Sequence, residues 1–435
     1  MINMNKKTKL LASAAISTLL LPGLSSADDA MAKRVEMLER ELQALKAEMK
    51  KTTVVAEKAS KSGFKGKGNT TYSFGGFIKA DAMWSEHSDA QRASAAVGDD
   101  FLVPSTIVTG DGSGGGDKVF DAHVKTSRIW FKTETETNVG AIKSYIEMDF
   151  NDSSANERLT NQASNGLRHA FVDWQYSDTA SLLAGQTWST FMNVGALPEA
   201  VDFIGPTSGT IFIRQAQLRW TKQFENGSLM LAAENPSTGL NDGGIGGGVA
   251  NNNFDDNTIP DLVIRYNGKH GNLSYSAALL GRKIAYRSGA LDDDTFGYGV
   301  SLSGKYQFEN GDDIKFMASH GNLGRYIALQ AFRDGAIEAD SDIELLDVTG
   351  GFVAYRHLWS EKLRSTLSYA MASADNASST ATTLTESVSN ASINLLYSPT
   401  KPLTFGIEYM VADRELENGV DGDLKRLQFM TKYAF

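Results

Sequence analysis

The chain has 435 residues with 41 glycines, 8 prolines, no cysteine and a formal net charge of −10. Without cysteine there is no disulfide, thiolate metal site or cysteine nucleophile, and the acidic balance argues against nucleic acid, whose phosphates call for a basic surface. A hydrophobic share of 41% and a mean hydropathy of −0.26, with no long apolar run beyond the N-terminus, exclude helical membrane spans but fit a closed barrel of alternating strands.

The opening segment has the form of an export signal over residues 1–27. Lys6, Lys7 and Lys9 make a positive start, residues 10–21 an apolar core too short to anchor, and Ser25, Ser26 and Ala27 a small-residue cleavage site. Its removal leaves a mature charge of about −13. Over 28–52, Met31, Val35, Leu38, Leu42, Leu45, Met49 and Thr52 recur at alternate spacings of four and three, with charged residues between them. That is a seam for a short coiled coil, marginal as a lone helix and therefore in need of partners; a single amphipathic helix lying on its own domain is the alternative. Residues 53–69, rich in Lys, Ser and Gly, read as a flexible linker.

From Thr70 the period changes to two, and residues 70–435 read as one barrel. Tyr72, Phe74, Ile78, Ala80 and Trp84 share one parity, Lys79 and Asp81 the other. Similar runs return to the end of the chain, although 119–133, 167–176 and 229–235 alternate less cleanly, as bulged strands do. Short turns near 138–140, 177–179, 226–227, 268–272, 310–311, 359–362 and 398–402 alternate with longer polar connections near 87–117, 151–166, 187–210, 236–260, 282–295, 321–345, 373–387 and 413–423. Seven hairpins plus a first and a last strand predict an all-β fold, a transmembrane antiparallel barrel of about sixteen strands. The last run carries Leu427, Phe429, Thr431, Tyr433 and Phe435 on one parity, and a closing aromatic such as Phe435 is the signal that the barrel-assembly machinery of a bacterial outer membrane uses.

Sending the apolar parity to lipid sends Lys79, Lys143, Arg219, Arg265, Lys305, Lys315, Arg364, Arg426 and Lys432 into the lumen, against Asp81, Glu147, Asp149, Asp173, Glu234 and Glu408. The lumen is then net basic while the acidic excess sits in the loops, an arrangement that favours anions in a narrow aqueous pore. The alternative is that these cations only pair with neighbouring acids. The connection at 186–210 carries Trp188, Phe191, Met192, Val194, Leu197, Val201, Phe203 and Ile204, too much apolar surface to leave in water. Packed on the lumen wall it would narrow the pore and set Glu199 and Asp202 against Arg128, Arg214 and Arg219; an outer lid or a subunit contact is the other possibility.

Other motifs carry little. Gly110, Gly112 and Gly115 spell GxGxxG with no helix after them to hold a phosphate. The Asp-rich loops lack the calcium-binding EF-hand pattern and suit a solvated surface or ion-bridged contact with lipopolysaccharide. The six histidines have no metal spacing, and Ser319 and His320 face opposite ways, so no barrel hydrolase can be assembled and no cofactor or metal is expected.

The segment GQTWSTFMNVGALPEAVDFIGPTSG, followed by IRQAQLRWT, resembles the DcaP-like family of outer-membrane porins, and signal, short coiled coil, barrel and closing Phe435 follow in the family's order. The resemblance implies a homotrimer of sixteen-stranded barrels in the outer membrane, with N-terminal helices bundled in the periplasm, passing small anions such as dicarboxylates. It also implies constriction roles for Arg214 and Arg219 of the RQAQLR run. The expected function is therefore a non-enzymatic porin surrounded by membrane lipid and lipopolysaccharide. A structural anchor whose working part is the coiled coil is the alternative.

Overall fold

A computed structural model describes residues 63–66, 68–89, 97–110, 114–152, 163–241, 251–377 and 382–435. The expected signal peptide, the coiled-coil seam Val35, Leu38, Leu42, Leu45 and Met49, and most of the linker lie outside the described residues.

The first wall strand, β1 (Thr70–His87), shows the rule that the others follow. Phe74, Ile78 and Trp84 are 62%, 57% and 50% exposed, while Lys79, Asp81 and Met83 between them are buried. Apolar side chains out and charged ones in is the reverse of a soluble sheet, and it is stable only where the outside is oil. The second strand, β2, is interrupted, Asp117–His123 and Arg128–Thr137 being separated by a turn in which Ser127 N donates to Val124 O. There follow β3 (Gly140–Asp152), β4 (Ser164–Ser177), β5 (Ala180–Trp188), β6 (Arg214–Phe224) and β7 (Gly227–Glu234). The middle of the wall is β8 (Asp261–His270), β9 (Leu273–Ser288), β10 (Leu291–Gln307) and β11 (Asp313–Gly321). The remainder is β12 (Asp347–Leu358), β13 (Leu363–Asp375), β14 (Thr385–Thr400), β15 (Leu403–Leu416) and β16 (Asp421–Ala434).

Each strand pairs antiparallel with the next, and β16 pairs with β1 from Phe77↔Ala434 to His87↔Leu424, so the sixteen-stranded wall is closed. Phe435 completes the seam by exchanging backbone hydrogen bonds with Gly76, both at 3.1 Å. Closure leaves no unpaired wall edge in lipid. All seven expected short turns lie at one end, with Gly271 and Gly311 at φ +55° and +91° supplying the left-handed backbone that two of them need.

At the other end the expected long loop at 282–295 is instead a hairpin. β9 and β10 stay paired from Arg282↔Gly297 to Ser288↔Leu291 and turn at Gly289. The pattern hid this because, above the membrane, outward positions such as Asp294 need not be apolar while the ladder continues. Likewise 413–423 is mostly strand, with a tight turn between Leu416 and Asp421. Four short strands, Thr238–Asn241, Asn251–Phe254, Gly335–Ile337 and Ile343–Leu345, form a separate small sheet in this region, packed on Ile284 and Tyr286.

The apolar core is inside the barrel and is made by connections that turn inward. Residues 97–110 lay Leu102 and Ile107 on Met410, Ala412 and Leu424 of β15 and β16. The β5–β6 connection buries Phe191, Met192, Ala196 and Ile211 against Val263, Leu280, Phe352 and Val388 of the wall. The β11–β12 connection brings Leu323, Tyr326 and Ile327 into the same cluster, with Phe212 N donating to Tyr326 O at 2.9 Å and Ala328 N to Thr210 O at 3.1 Å.

Candidate pore constriction

The β5–β6 connection leaves one wall and is fastened to the facing one. Glu408 on β15 accepts from Val201 N and Asp202 N at 3.0 and 3.1 Å, and Asn390 on β14 accepts from Ser208 N and donates to Gly205 O, both at 3.0 Å. Lys315 on β11 donates to Leu197 O at 2.5 Å. Arg265 on β8 donates to Met192 O at 2.5 Å and to Asn193 Oδ1 at 2.9 Å. Charged and amide side chains of the inner wall thus satisfy the backbone of a loop that has no ladder of its own.

Between residues 197–204 of this loop and the inner faces of β1, β2 and β13–β16 there is a cavity of about 380 Å³. Its charged lining is Lys79, Arg128, Arg364, Lys401 and Lys432 against Glu199 and Asp202. Lys79 Nζ is 2.6 Å from Asp81 Oδ1. Arg364 grips Glu199 through Nε and Nη2 at 2.7 and 2.8 Å, and Arg356 stands 3.4 Å from the same carboxylate. Lys432 Nζ instead lies 4.2 Å from the centre of the Phe77 ring. Burial alone would raise the Glu199 carboxyl, but the Arg364 and Arg356 guanidiniums outweigh it and hold Glu199 below the usual carboxylate range. For Asp202 burial wins over the charges of Arg426 and Lys79 and over the backbone N–H groups of Phe203 and of Leu102, the latter at 3.4 Å, and its carboxyl is pushed up.

Beside the cavity runs a ladder of guanidiniums and rings. Arg128 lies 5.3 Å from the Phe77 ring and 5.5 Å from Phe203; Arg168 lies 5.5 Å from Phe203 and 5.6 Å from Trp188; Arg214 lies 5.2 Å from Trp188. Arg168 is neutralised by Glu147 at 2.8 Å and Asp149 at 2.5 Å. It is also the extra residue of a bulge, because Glu147 pairs with His169 and Met148 with Leu167, leaving Arg168 between them. The bulge turns Arg168 and His169, consecutive residues, both to the buried side.

The cavity therefore brings together Lys79, Arg128, Glu199 and Asp202, but not Arg214, Arg219 or Arg265. Arg214 ends the ladder, Arg265 ties down the loop, and Arg219 is inward on β6 with its Nε buried and, among the described residues, without a hydrogen-bond partner. Of the expected facing of Glu199 on Arg128, Arg214 and Arg219, only Arg128 shares its cavity; the ion pairs of Glu199 are with Arg364 and Arg356, on the wall that the loop reaches. Pairing with neighbouring acids does account for several inward cations, Lys79 and Arg364 among them. Lys401 was missed because it sits in a turn, where parity says nothing, and Arg168 because the bulge breaks parity.

A closed sixteen-stranded wall, apolar outside, with an inward loop that borders a charged cavity, defines an outer-membrane porin. Residues 42–435 match the model of the DcaP outer membrane protein family, and the chain belongs to that family. Among solved structures it is similar to the outer membrane channel DcaP of Acinetobacter baumannii, with 26% identity and a TM-score of 0.70 over 86% of this chain and 100% of that one. It is similar in fold to Salmonella typhi OmpF in complex with daunomycin, at 14% identity and a TM-score of 0.56 over 86% and 100%. The same holds for a loop-deletion mutant of OmpT of Vibrio cholerae, at 12% and 0.52 over 84% and 100%. No curated protein matches the chain. The protein is thus a β-barrel porin of the bacterial outer membrane.

Proposed function

We propose that the protein lets small, preferentially anionic solutes of the dicarboxylate kind diffuse passively through a basic constriction. The observation that carries this reading is the eyelet's charge: five cations line it against two carboxylates, and among the described residues Lys401 and Lys432 form no ion pair. A cation without a counter-charge in a narrow, partly dehydrated passage offsets the cost of admitting an anion and adds to that of a cation. The apolar side of the same eyelet, Phe77, Phe203, Leu396 and Met430, suits a short carbon chain between two carboxylates. The test is the ion selectivity of the purified protein in a salt gradient, where chloride should outrun potassium; a membrane without conductance would favour the anchor reading.

The assembly belongs to the same proposal. The heptad seam of 28–52 suits three parallel copies held in the periplasm by a linker over 53–69 after removal of residues 1–27, with the barrels set in lipid and lipopolysaccharide and delivered through Phe435. The mass in detergent should be that of three chains, falling to one when 28–52 is deleted. A monomer before deletion would sink the trimer, and a trimer after it would assign assembly to the barrel walls.

A further inference from the structure

Three successive residues of the β11–β12 connection, Ala328, Leu329 and Gln330, run at φ 50°, 52° and 64°. None is glycine, and a left-handed turn of L residues persists only where its surroundings enforce it. Its hydrogen bonds are made, Gln330 N donating to Ile327 O at 3.0 Å and Ala331 N to Ala328 O at 3.2 Å, so the turn is a formed element. Backbone strain of this kind collects at clamps and switches, where it biases a segment toward leaving its seat.

The turn belongs to a lobe, 325–333, whose two ends meet. Gly324 lies against the main chain of Arg333, where a Cβ would collide, and Arg325 N donates to Asp334 Oδ1 at 3.0 Å. This base is pinned to the wall, because Asp334 takes Arg282 of β9 at 2.5 Å with both side chains wholly buried. The lobe beyond the base is held by hydrogen bonds and apolar packing. The Tyr326 hydroxyl donates to Asp261 of β8 at 2.7 Å and accepts from Gln215 of β6 at 2.8 Å. Phe212 N donates to Tyr326 O and Ala328 N to Thr210 O, so that Ile327 is bridged to Ile211 of the β5–β6 connection. That bridge bears on the passage. The Phe212 ring lies 4.7 Å from Trp188 and 5.8 Å from Phe203, and Phe203 lines the cavity of about 380 Å³. A lobe that leaves its seat therefore releases Phe212, and through it the ring that walls the cavity.

We propose that the lobe 325–333 is a sprung strap on the constriction: seated, it holds Phe212 and Phe203 in place and the passage narrow; unseated, it lets both rings withdraw and gives a second, wider conducting state. The base stays on Arg282 in both states, so the movement is a pivot of the lobe about Gly324 and Asp334. Tyr326 is the positioning residue, acting on the passage through Phe212. The inference goes beyond the anion reading above and does not depend on which ion the constriction prefers.

The experiment uses the full-length protein, in which two introduced thiols would be the only ones. Ile211 and Ile327 form a non-hydrogen-bonded antiparallel pair, a geometry that sets Cα atoms about 4.5 Å apart, within disulfide reach. In a planar bilayer with potassium chloride the wild type should step between a main and a larger conductance level. The oxidised double variant Ile211→Cys with Ile327→Cys should lose the larger level and regain it on reduction. Tyr326→Phe, which keeps the ring and removes the hydroxyl, should lengthen the time spent at the larger level about tenfold, the scale of one buried hydrogen bond to a carboxylate. Amide hydrogen exchange over 325–333 reads the same movement without a current, faster in Tyr326→Phe and slower in the oxidised double variant. Identical steps in the oxidised and reduced protein, or a Tyr326→Phe protein whose levels and exchange match the wild type, overturns the strap; should the double variant fail to assemble, Tyr326→Phe decides alone. Selectivity separates the two readings: cation preference with a redox-dependent larger level removes the basic constriction and leaves the strap standing, and anion preference at one redox-insensitive level does the reverse.

Discussion

Arg168 shows how a charge can be deeply buried in a porin wall. Its side chain is 1% exposed, two carboxylates bind it, and the rings of Phe203 and Trp188 lie within cation–π range. Removing it leaves Glu147 and Asp149 buried without their shared counter-charge. We expect Arg168→Met to lower unfolding stability in detergent by about 3–5 kcal/mol, and Glu147→Gln added to it to recover part of the loss. A neutral Arg168→Met would mean that the pair is solvated and the ladder incidental. At this scale parity placed Lys79, Arg265, Arg364 and Lys432 inside correctly from sequence. It missed Arg168 because a bulge adds one residue that no alternation announces, and it could not supply partners, which depend on which wall a loop reaches. Glu199 is the instance: its acidity was legible, but its grip on Arg364, 165 residues away, was not.

The elements that make this a porin rather than an open tube are the inward connections, and their fit is set by backbone as much as by side chains. Gly209 of the β5–β6 loop lies against the Gly351 carbonyl of β12, where a Cβ would collide with main chain that has no room to give. Gly209→Ala should lift the loop from the wall, raising single-channel conductance and lowering stability by about 1–3 kcal/mol. Unchanged conductance would mean that the loop does not set the pore's width. The apolar content of 186–210 was enough to predict that this loop packs on something. The inward course of 97–110 and of the β11–β12 connection was not predicted: Phe101, Leu102 and Val103, Ile107 and Val108, and Tyr326 and Ile327 form only short apolar runs inside long polar connections, with no period to give them a direction. The β9–β10 extension was hidden for a related reason: once strands rise out of lipid, the ladder continues and the apolar alternation that betrays it does not.

For the whole molecule, an acidic chain carries acidic clusters in its loops while the cavity beside the inward loop is lined by five cations against two carboxylates, an asymmetry that a single net charge of −10 conceals. The barrel, its closure and its strand number were legible because lipid enforces a period of two on every strand and one face is penalised for any charge. Selectivity is the property that ties this architecture to a function. The measurement that tests it most directly is the zero-current potential of the purified wild-type protein across a bilayer with a potassium chloride gradient. The sign predicted is that of chloride crossing more readily than potassium; a potential of the opposite sign would contradict the account, showing that the paired acids and not Lys401 and Lys432 govern the eyelet.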